Sequence, residues 1–489
     1  MPKTRSRGKL FLTGFLLMTA PSLIVAQTPK PHPKDDGPPL SRDPLFVGES
    51  THPAPSRRKA APDPAIAAAL REVSPLRIRA TIEKLASFGT RLTISPADAP
   101  SIASGHGIGA ARQWIKSEFE RYARDCGGCL EVKTDSFVEE PMRRIPKATE
   151  IVNIYAVLRG TDAEAAKRIY LVTGHYDSRP SNDQDTAAAA PGANDDGSGT
   201  AVSLECARVL SKHRFPATII FLTVAGEEQG LNGSRHFAKM AREQGWNLEA
   251  VLNNDIVGGD RTPGQDASVV RVFSEGIPAT AGDPEIKTIR TLGAEGDSPS
   301  RELARYIRET SRVYLPATFG PKLIFRPDRY LRGGDHTSFN EQGFAAVRMT
   351  EYRENYNHQH QDVRTENGIE YGDLPKFVDY EYVANVARLN AATLASLASA
   401  PAPPSNVRLE TRKLENDSTL LWDPSPGGSA AGYEVLWRPT TAPEWENVQA
   451  VGKGTQVTID RSKDNVVFAV RAVDDRGHRS LAVLPKPER

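Results

Sequence analysis

Between residues 150 and 350, apolar β-branched runs alternate with segments whose apolar positions recur at helical spacing. Residues 151–158, 169–173, 218–224, 251–254 and 344–349 are almost continuously apolar, as strands covered on both faces tend to be. Residues 199–210, 233–242, 301–311 and 377–397 carry the helical pattern. The alternation predicts an α/β domain with a mixed, largely parallel sheet flanked by helices, whose ligand sites lie beyond the carboxyl ends of the strands. Upstream, Ile78, Ile82 and Leu85, then Ala110, Ile115 and Phe119, continue the helical spacing, so the domain is expected to begin near residue 75 and run to 398.

The ends of the chain read differently. Lys3, Arg5, Arg7 and Lys9 precede an apolar run from Leu10 to about Ala20, and Ala26 supplies a small residue for cleavage. That pattern predicts a signal peptide over 1–26 and a secreted protein, extracellular or periplasmic, with no stable membrane span. Residues 27–74 are rich in Pro and polar residues and are expected to form a linker or a removable pro-segment. Residues 399–406, with Pro401, Pro403 and Pro404, read as a second linker. Beyond it, short β runs at 407–410, 419–422, 432–438, 456–459 and 465–473 are separated by Pro, Gly and Asp turns.

Composition narrows the partners. With 489 residues, 39% hydrophobic and 25% charged, the chain is an ordinary globular mixture long enough for two or more domains. Lys and Arg total 62 against 61 Asp and Glu, so no overall field attracts nucleic acid or anionic membrane. Of three cysteines, Cys126 and Cys129 stand in Cys-Gly-Gly-Cys. In an exported chain that favours a short-loop disulfide over a redox pair or half a zinc-thiolate site. Cys206 falls on an apolar helical face and reads as a buried thiol.

The chemistry gathers at the strand ends. Ala225-Gly226-Glu227-Glu228 follows the run 218–224, placing two adjacent acids where desolvation is costly unless a cation or hydrogen bonds compensate. Gly174-His175-Tyr176-Asp177 follows 169–173, and an imidazole with a nearby carboxylate is how a metal ligand and its orienting acid are arranged. Pro191-Gly192-Ala193-Asn194-Asp195-Asp196-Gly197-Ser198-Gly199 opens a helix, Asn253-Asn254-Asp255 ends a strand, and Tyr356-Asn357-His358-Gln359-His360-Gln361-Asp362 follows the last strand. Each alone is adequately explained as a turn, cap or surface loop. Together they bring His, Asp, Glu, Asp and His to one crevice.

This order of motifs resembles the secreted two-zinc aminopeptidase family, whose relatives include glutamate carboxypeptidase, the transferrin receptor ectodomain and glutaminyl cyclase. The resemblance covers roughly residues 75–398. It implies two zinc ions, with His175, Asp195, Glu228, Asp255 and His358 as metal ligands and Asp195 bridging. It further implies Asp177 as the partner orienting His175 and Glu227 as general base toward an activated water. Asp196 does not fall on the ligand position. His358 is preferred over His360 because it has an acid four residues later, Asp362, at the family's spacing. The family often has Tyr immediately before this His, whereas Asn357 stands here and Tyr356 one earlier. Gly334-Asp335-His336 resembles a Ser-Asp-His segment near the family's substrate pocket, and a plain helix N-cap accounts for it equally. Arg348 and Arg353 flank the region without a role that the sequence assigns.

Residues 407–489, with Trp422, Gly432-Tyr433-Glu434-Val435 and 468–474, resemble a fibronectin type III domain, which implies a β-sandwich, an unknown ligand and core positions for Trp422 and Tyr433. The expected activity is release of N-terminal residues from peptides or small proteins. Carboxypeptidase or dipeptidase action, single-zinc glutaminyl cyclisation and a non-catalytic binding role are the alternatives. Retention of Glu227 beside the ligand set argues against the last.

Overall fold

The computed structural model describes residues 61–488. The expected signal peptide, most of the Pro-rich segment and Arg489 lie outside the described residues. The chain is helical from Pro64, earlier than residue 75: helix α1, Pro64–Arg71, has Pro at its first turn, and the Asp63 carboxylate accepts the N–H groups of Ala65 and Ile66. Ile66, Ala69 and Leu70 are buried in the same core as the rest of the domain. The polar composition around this short segment hid its one apolar face.

Helices α2 (Pro75–Ala86), α3 (Ala99–Ala103) and α4 (Gly107–Asp125) precede a sheet of β1 (Leu130–Glu139), β2 (Thr149–Leu158), β3 (Arg168–His175), β4 (Thr218–Val224), β5 (Asn247–Asn254), β6 (Val269–Ser274), β7 (Gly320–Ile324) and β8 (Ala346–Glu351). Their order is β1-β2-β4-β3-β5-β8-β6-β7. The central strands β4, β3, β5 and β8 are parallel. β1, β2 and β6 enter through antiparallel pairings, and β7 runs parallel to β6. The sheet is therefore mixed around a parallel centre, as the continuous apolar runs require.

Side-chain alternation divides β4 between two cores. Ile219 and Phe221 join the core that holds α2, α4, α5 (Gly197–Leu210), α9 (Pro299–Tyr314) and α11 (Tyr380–Ser399). Ile220 and Leu222 face the opposite core with Phe237 and Phe339, from α7 (Asn232–Glu243) and α10 (Asp335–Asn340). The remaining helices are the single turn α6 (Glu227–Gly230) and α8 (Asp283–Leu292), which has no buried residue. Its apolar face is only Ile286, Ile289 and Leu292, too short a run to stand out in the sequence. A hairpin of β9 (Arg364–Glu366) and β10 (Ile369–Tyr371) follows β8. Cys126 and Cys129 form a disulfide, and Cys206 is a buried free thiol. Among the described residues no helix is long and apolar enough to cross a membrane.

After α11 the chain forms two small sheets. One is β11 (Ser405–Glu410), β12 (Ser418–Asp423), β15 (Gln456–Ile459) and β17 (Lys486–Glu488). The other is β13 (Gly432–Pro439), β14 (Asn447–Gly452) and β16 (Val466–Val473). Leu420, Trp422, Tyr433, Val435 and Phe468 fill the space between them. β14, none of whose residues is buried, and the three-residue β17 are strands that patterning does not reveal. This β unit is held against α9: Arg471 Nη1 donates to Glu309 at 2.7 Å, Trp445 Nε1 to Glu302 at 2.9 Å, and the Tyr306 hydroxyl to the Arg479 carbonyl at 3.0 Å.

Candidate metal centre

The centre sits where the parallel strands end. β3 and β4 are in register with His175 opposite Val224, so His175 lies beside the turn that starts at Ala225 and carries Glu227 and Glu228. β5 ends at Asn254 next to Asp255, and β8 leads into the loop bearing His358 and His360. Helix α5 brings its N-terminus unusually close. A Cβ on Gly199 would stand 2.1 Å from the Asn254 carbonyl, and one on Gly174 would stand 2.4 Å from the Gly199 backbone. The two glycines let the helix start press on the strand ends, which is the physical content of the glycine-rich motif.

Within this space two groups of metal-binding side chains share one acid. His175, Asp195 and Asp255 form the first, and Asp195, Glu228 and His360 the second, with the candidate ligand atoms of each within 4.8 Å of one another. His175 Nε2 lies 3.1 Å from Asp195 Oδ1 and 3.9 Å from Asp255 Oδ1. His360 Nε2 lies 2.9 Å from Asp195 Oδ2 and 3.0 Å from Glu228 Oε1. Buried His175 Nε2 and Glu228 Oε1 make no hydrogen bond. Nitrogen and carboxylate atoms that converge in burial, two of them without a hydrogen-bond partner, are what a zinc pair with mixed N and O ligands fits, one carboxylate reaching both positions.

The electrostatics carry the same signature. Burial works against charge on His360, yet Glu228 and Asp195 hold its imidazole up at about 10. Burial likewise opposes charge on His175, and Asp177, Asp195 and Asp255 raise it well above the ordinary histidine value. Acids outnumber bases here, an excess of negative charge that bound cations would offset.

Asp177 orients the neighbourhood. His175 Nδ1 lies 3.4 Å from Asp177 Oδ1 and 3.1 Å from the Asp177 carbonyl. The Asp177 carboxylate accepts Thr93 Oγ1 at 2.8 Å and the N–H groups of Glu227 and Glu228 at 3.4 and 3.2 Å. Glu227 belongs to neither metal-binding group. Burial pushes its carboxyl well above the usual range, and Asp255, Glu228 and Asp335 push the same way against His175. Asp196 is turned to structure: its carboxylate accepts the N–H of Gly199 at 2.9 Å and of His175 at 3.0 Å, capping α5.

His358 is a correction. The structure places His360 in the second group and leaves His358 outside it. The His358 ring stacks on Phe377 at 3.7 Å, and its Nδ1 is bound to Asp260. The spacing argument fails because Asp362 serves neither histidine. Its carboxylate accepts the N–H and hydroxyl of Ser181 at 3.1 and 2.6 Å, tying two surface loops together. Asp335 and His336 begin α10, and both are buried. Burial lifts Asp335 to about 7.

Three further residues complete the site without a sequence signal that marks them. Asp373, in an ordinary Gly-Asp turn, accepts the Asp195 N–H at 2.7 Å. Gln359 donates to Asp195 Oδ2 at 2.9 Å. Arg348, fully buried, places Nη2 2.8 Å from Asp255 Oδ1.

Comparison with known proteins agrees in family. Residues 153–380 match the model of peptidase family M28. A probable zinc metalloprotease of Leptosphaeria maculans is 46% identical over 430 residues, covering 87% of this chain and 98% of its own. One from Pyrenophora teres f. teres is 46% identical over 431 residues, covering 87% of this chain and 88% of its own. Among solved structures, the Legionella pneumophila LapA aminopeptidase aligns with TM-score 0.48 and 22% identity over 68% of this chain and 74% of its own. A glutaminyl cyclase of Fimbriiglobus ruber aligns with TM-score 0.44 and 18% identity over 66% and 95%. The chain belongs to peptidase family M28 and is a zinc metallopeptidase.

Proposed function

We propose that the protein is a secreted aminopeptidase that uses two zinc ions to release N-terminal residues from peptides. The observation that carries this reading is the sharing of Asp195 by two His-and-carboxylate groups, with Glu227, the chain neighbour of Glu228, part of neither. His175, Asp195 and Asp255 would hold one ion, and Asp195, Glu228 and His360 the other. Bound zinc would supply Lewis-acid polarisation of a carbonyl and lower the pKa of a bound water to about 7.

The protein's own residues do the rest. Glu227, half-buried and free of the metal groups, takes a proton from the attacking water and returns it to the leaving amine. Its backbone N–H is held by Asp177, the same acid that lies 3.4 Å from His175 Nδ1. The acids gathered at the centre give a substrate α-amine groups to pair with, so free N-termini are favoured over blocked ones. A panel of aminoacyl chromogens beside N-blocked peptides tests this: hydrolysis of the free-amine substrates is expected, and hydrolysis of blocked ones alone would overturn it.

The leader at 1–26 supports secretion, tested by N-terminal sequencing of protein recovered from the medium. The C-terminal unit is read as a fibronectin type III sandwich, supported by its two facing sheets and the Trp422–Tyr433 ring contact at 5.6 Å.

A further inference from the structure

The two metal-binding groups differ in one respect that their ligand types do not show. Asp255 is already engaged by a fixed cation. Arg348 Nη2 lies 2.8 Å from Asp255 Oδ1, the same oxygen that faces His175 Nε2 at 3.9 Å. The guanidinium cannot swing aside, because Nη1 donates to the Gly333 carbonyl at 3.1 Å and lies 3.4 Å from Asp328 Oδ2, and the side chain is fully buried. Gly334 makes the room for it: a Cβ there would stand 2.4 Å from Arg348 Nη1 and 3.3 Å from Asp255 Oδ2. The second group has no such neighbour. Glu228 and Asp195 have only His360 and His175 as basic ion-pair partners among the described residues.

We propose that Arg348 is a positioning residue that makes the two metal positions unequal: it holds Asp255 by the donor oxygen and withdraws charge from it, so the His175–Asp195–Asp255 position fills second and more weakly. This rests on the two-ion reading above. A guanidinium that close in a water-excluded site opposes a second cation far more than it would in water. It also neutralises Asp255 while the first group is empty, so the pocket does not need to be rebuilt when the ion arrives. The outcome is a site with one retained ion and one exchangeable ion.

The test is titration of cobalt(II) into full-length protein stripped of metal, followed by calorimetry and by the visible spectrum of the bound ion. Two steps are expected, separated by about tenfold or more in affinity. His175→Ala should abolish the weaker step and His360→Ala the tighter one. The reverse assignment, or two equal affinities, would overturn the proposal. Arg348→Met should tighten the weaker step toward the first, while Arg348→Lys, which keeps a cation, should preserve the separation. An Arg348→Met protein with an unchanged tight step and an unchanged or weakened second step would also overturn it. Absence of saturable cobalt binding in the unmutated protein would instead remove the metal reading on which the proposal rests.

Discussion

The carboxylate of Asp373 accepts the backbone N–H of Asp195 at 2.7 Å across a sequence separation of 178 residues. It accepts the neighbouring N–H of Asn194 at 2.8 and 2.9 Å. The loop that carries the shared acid is therefore anchored from the far end of the domain. Burial lifts Asp373 to about 7, against the pull of these two N–H groups, so the interaction is maintained at a cost. Asp373→Ala is expected to lower metal affinity and turnover by about 10- to 100-fold, as loss of a partner behind a ligand commonly does. Metal-competition titration and steady-state kinetics check this, and wild-type values for both would contradict it.

His358 and His360 separate cleanly by substitution. His360→Ala removes a side chain lying within 3.0 Å of both Asp195 and Glu228, and should lower the zinc content of the purified protein by about one ion per chain. His358→Ala removes a ring stacked on Phe377 and should leave the zinc content unchanged. Elemental analysis of the two variants decides. A loss of zinc confined to His358→Ala would restore the choice that sequence spacing favoured.

Arg471 pins the β-sandwich to the peptidase domain. It is buried, donating to Glu309 of α9 at 2.7 Å and to Glu434 of its own sheet at 2.8 Å. Arg471→Met would leave Glu434 to Arg479 alone and should destabilise the protein by about 1–3 kcal/mol, below the full scale of a buried pair because Glu309 stays in contact with solvent. Chemical denaturation measures the loss, and earlier proteolytic release of the C-terminal unit should accompany it.

His478 gives the same junction a pH dependence. Its Nδ1 lies 2.7 Å from Asp474 and its Nε2 3.1 Å from Asp63, the cap of α1. The Asp474 hydrogen bond raises its pKa above the ordinary value, outweighing burial, with Asp63 adding to the rise. A raised value in the folded state stabilises fully below about pH 6.5, and that contribution is lost as pH climbs through the folded value. Melting temperature should therefore fall on this account above neutral pH, and His478→Gln should flatten that part of the profile. Identical profiles for the two proteins would contradict the assignment.

Much of this was legible because burial on both faces writes itself into sequence. β4 was readable to the residue at 218–224, since every one of its positions is buried. The strand-end acids were legible for the same reason, each standing directly after such a run. What escaped buries too little to stand out. Helix α8 has no buried residue, and neither does β14. The choice between His358 and His360 depended on where Asp362 points, and that is fixed by Ser181 in a different loop. Arg348 looked like any strand arginine until the fold set Asp255 beside it.

The division of labour between adjacent acids is the core of the proposed mechanism: Glu228 faces His360 at 3.0 Å, while Glu227 stands outside both groups. The direct measurement is turnover of Glu227→Gln on a free-amine aminoacyl substrate, with its zinc content matched to the unmutated protein. Turnover is expected to fall by about 10²- to 10⁴-fold with zinc retained. Near wild-type turnover at full zinc content would contradict the assignment of Glu227 as the base.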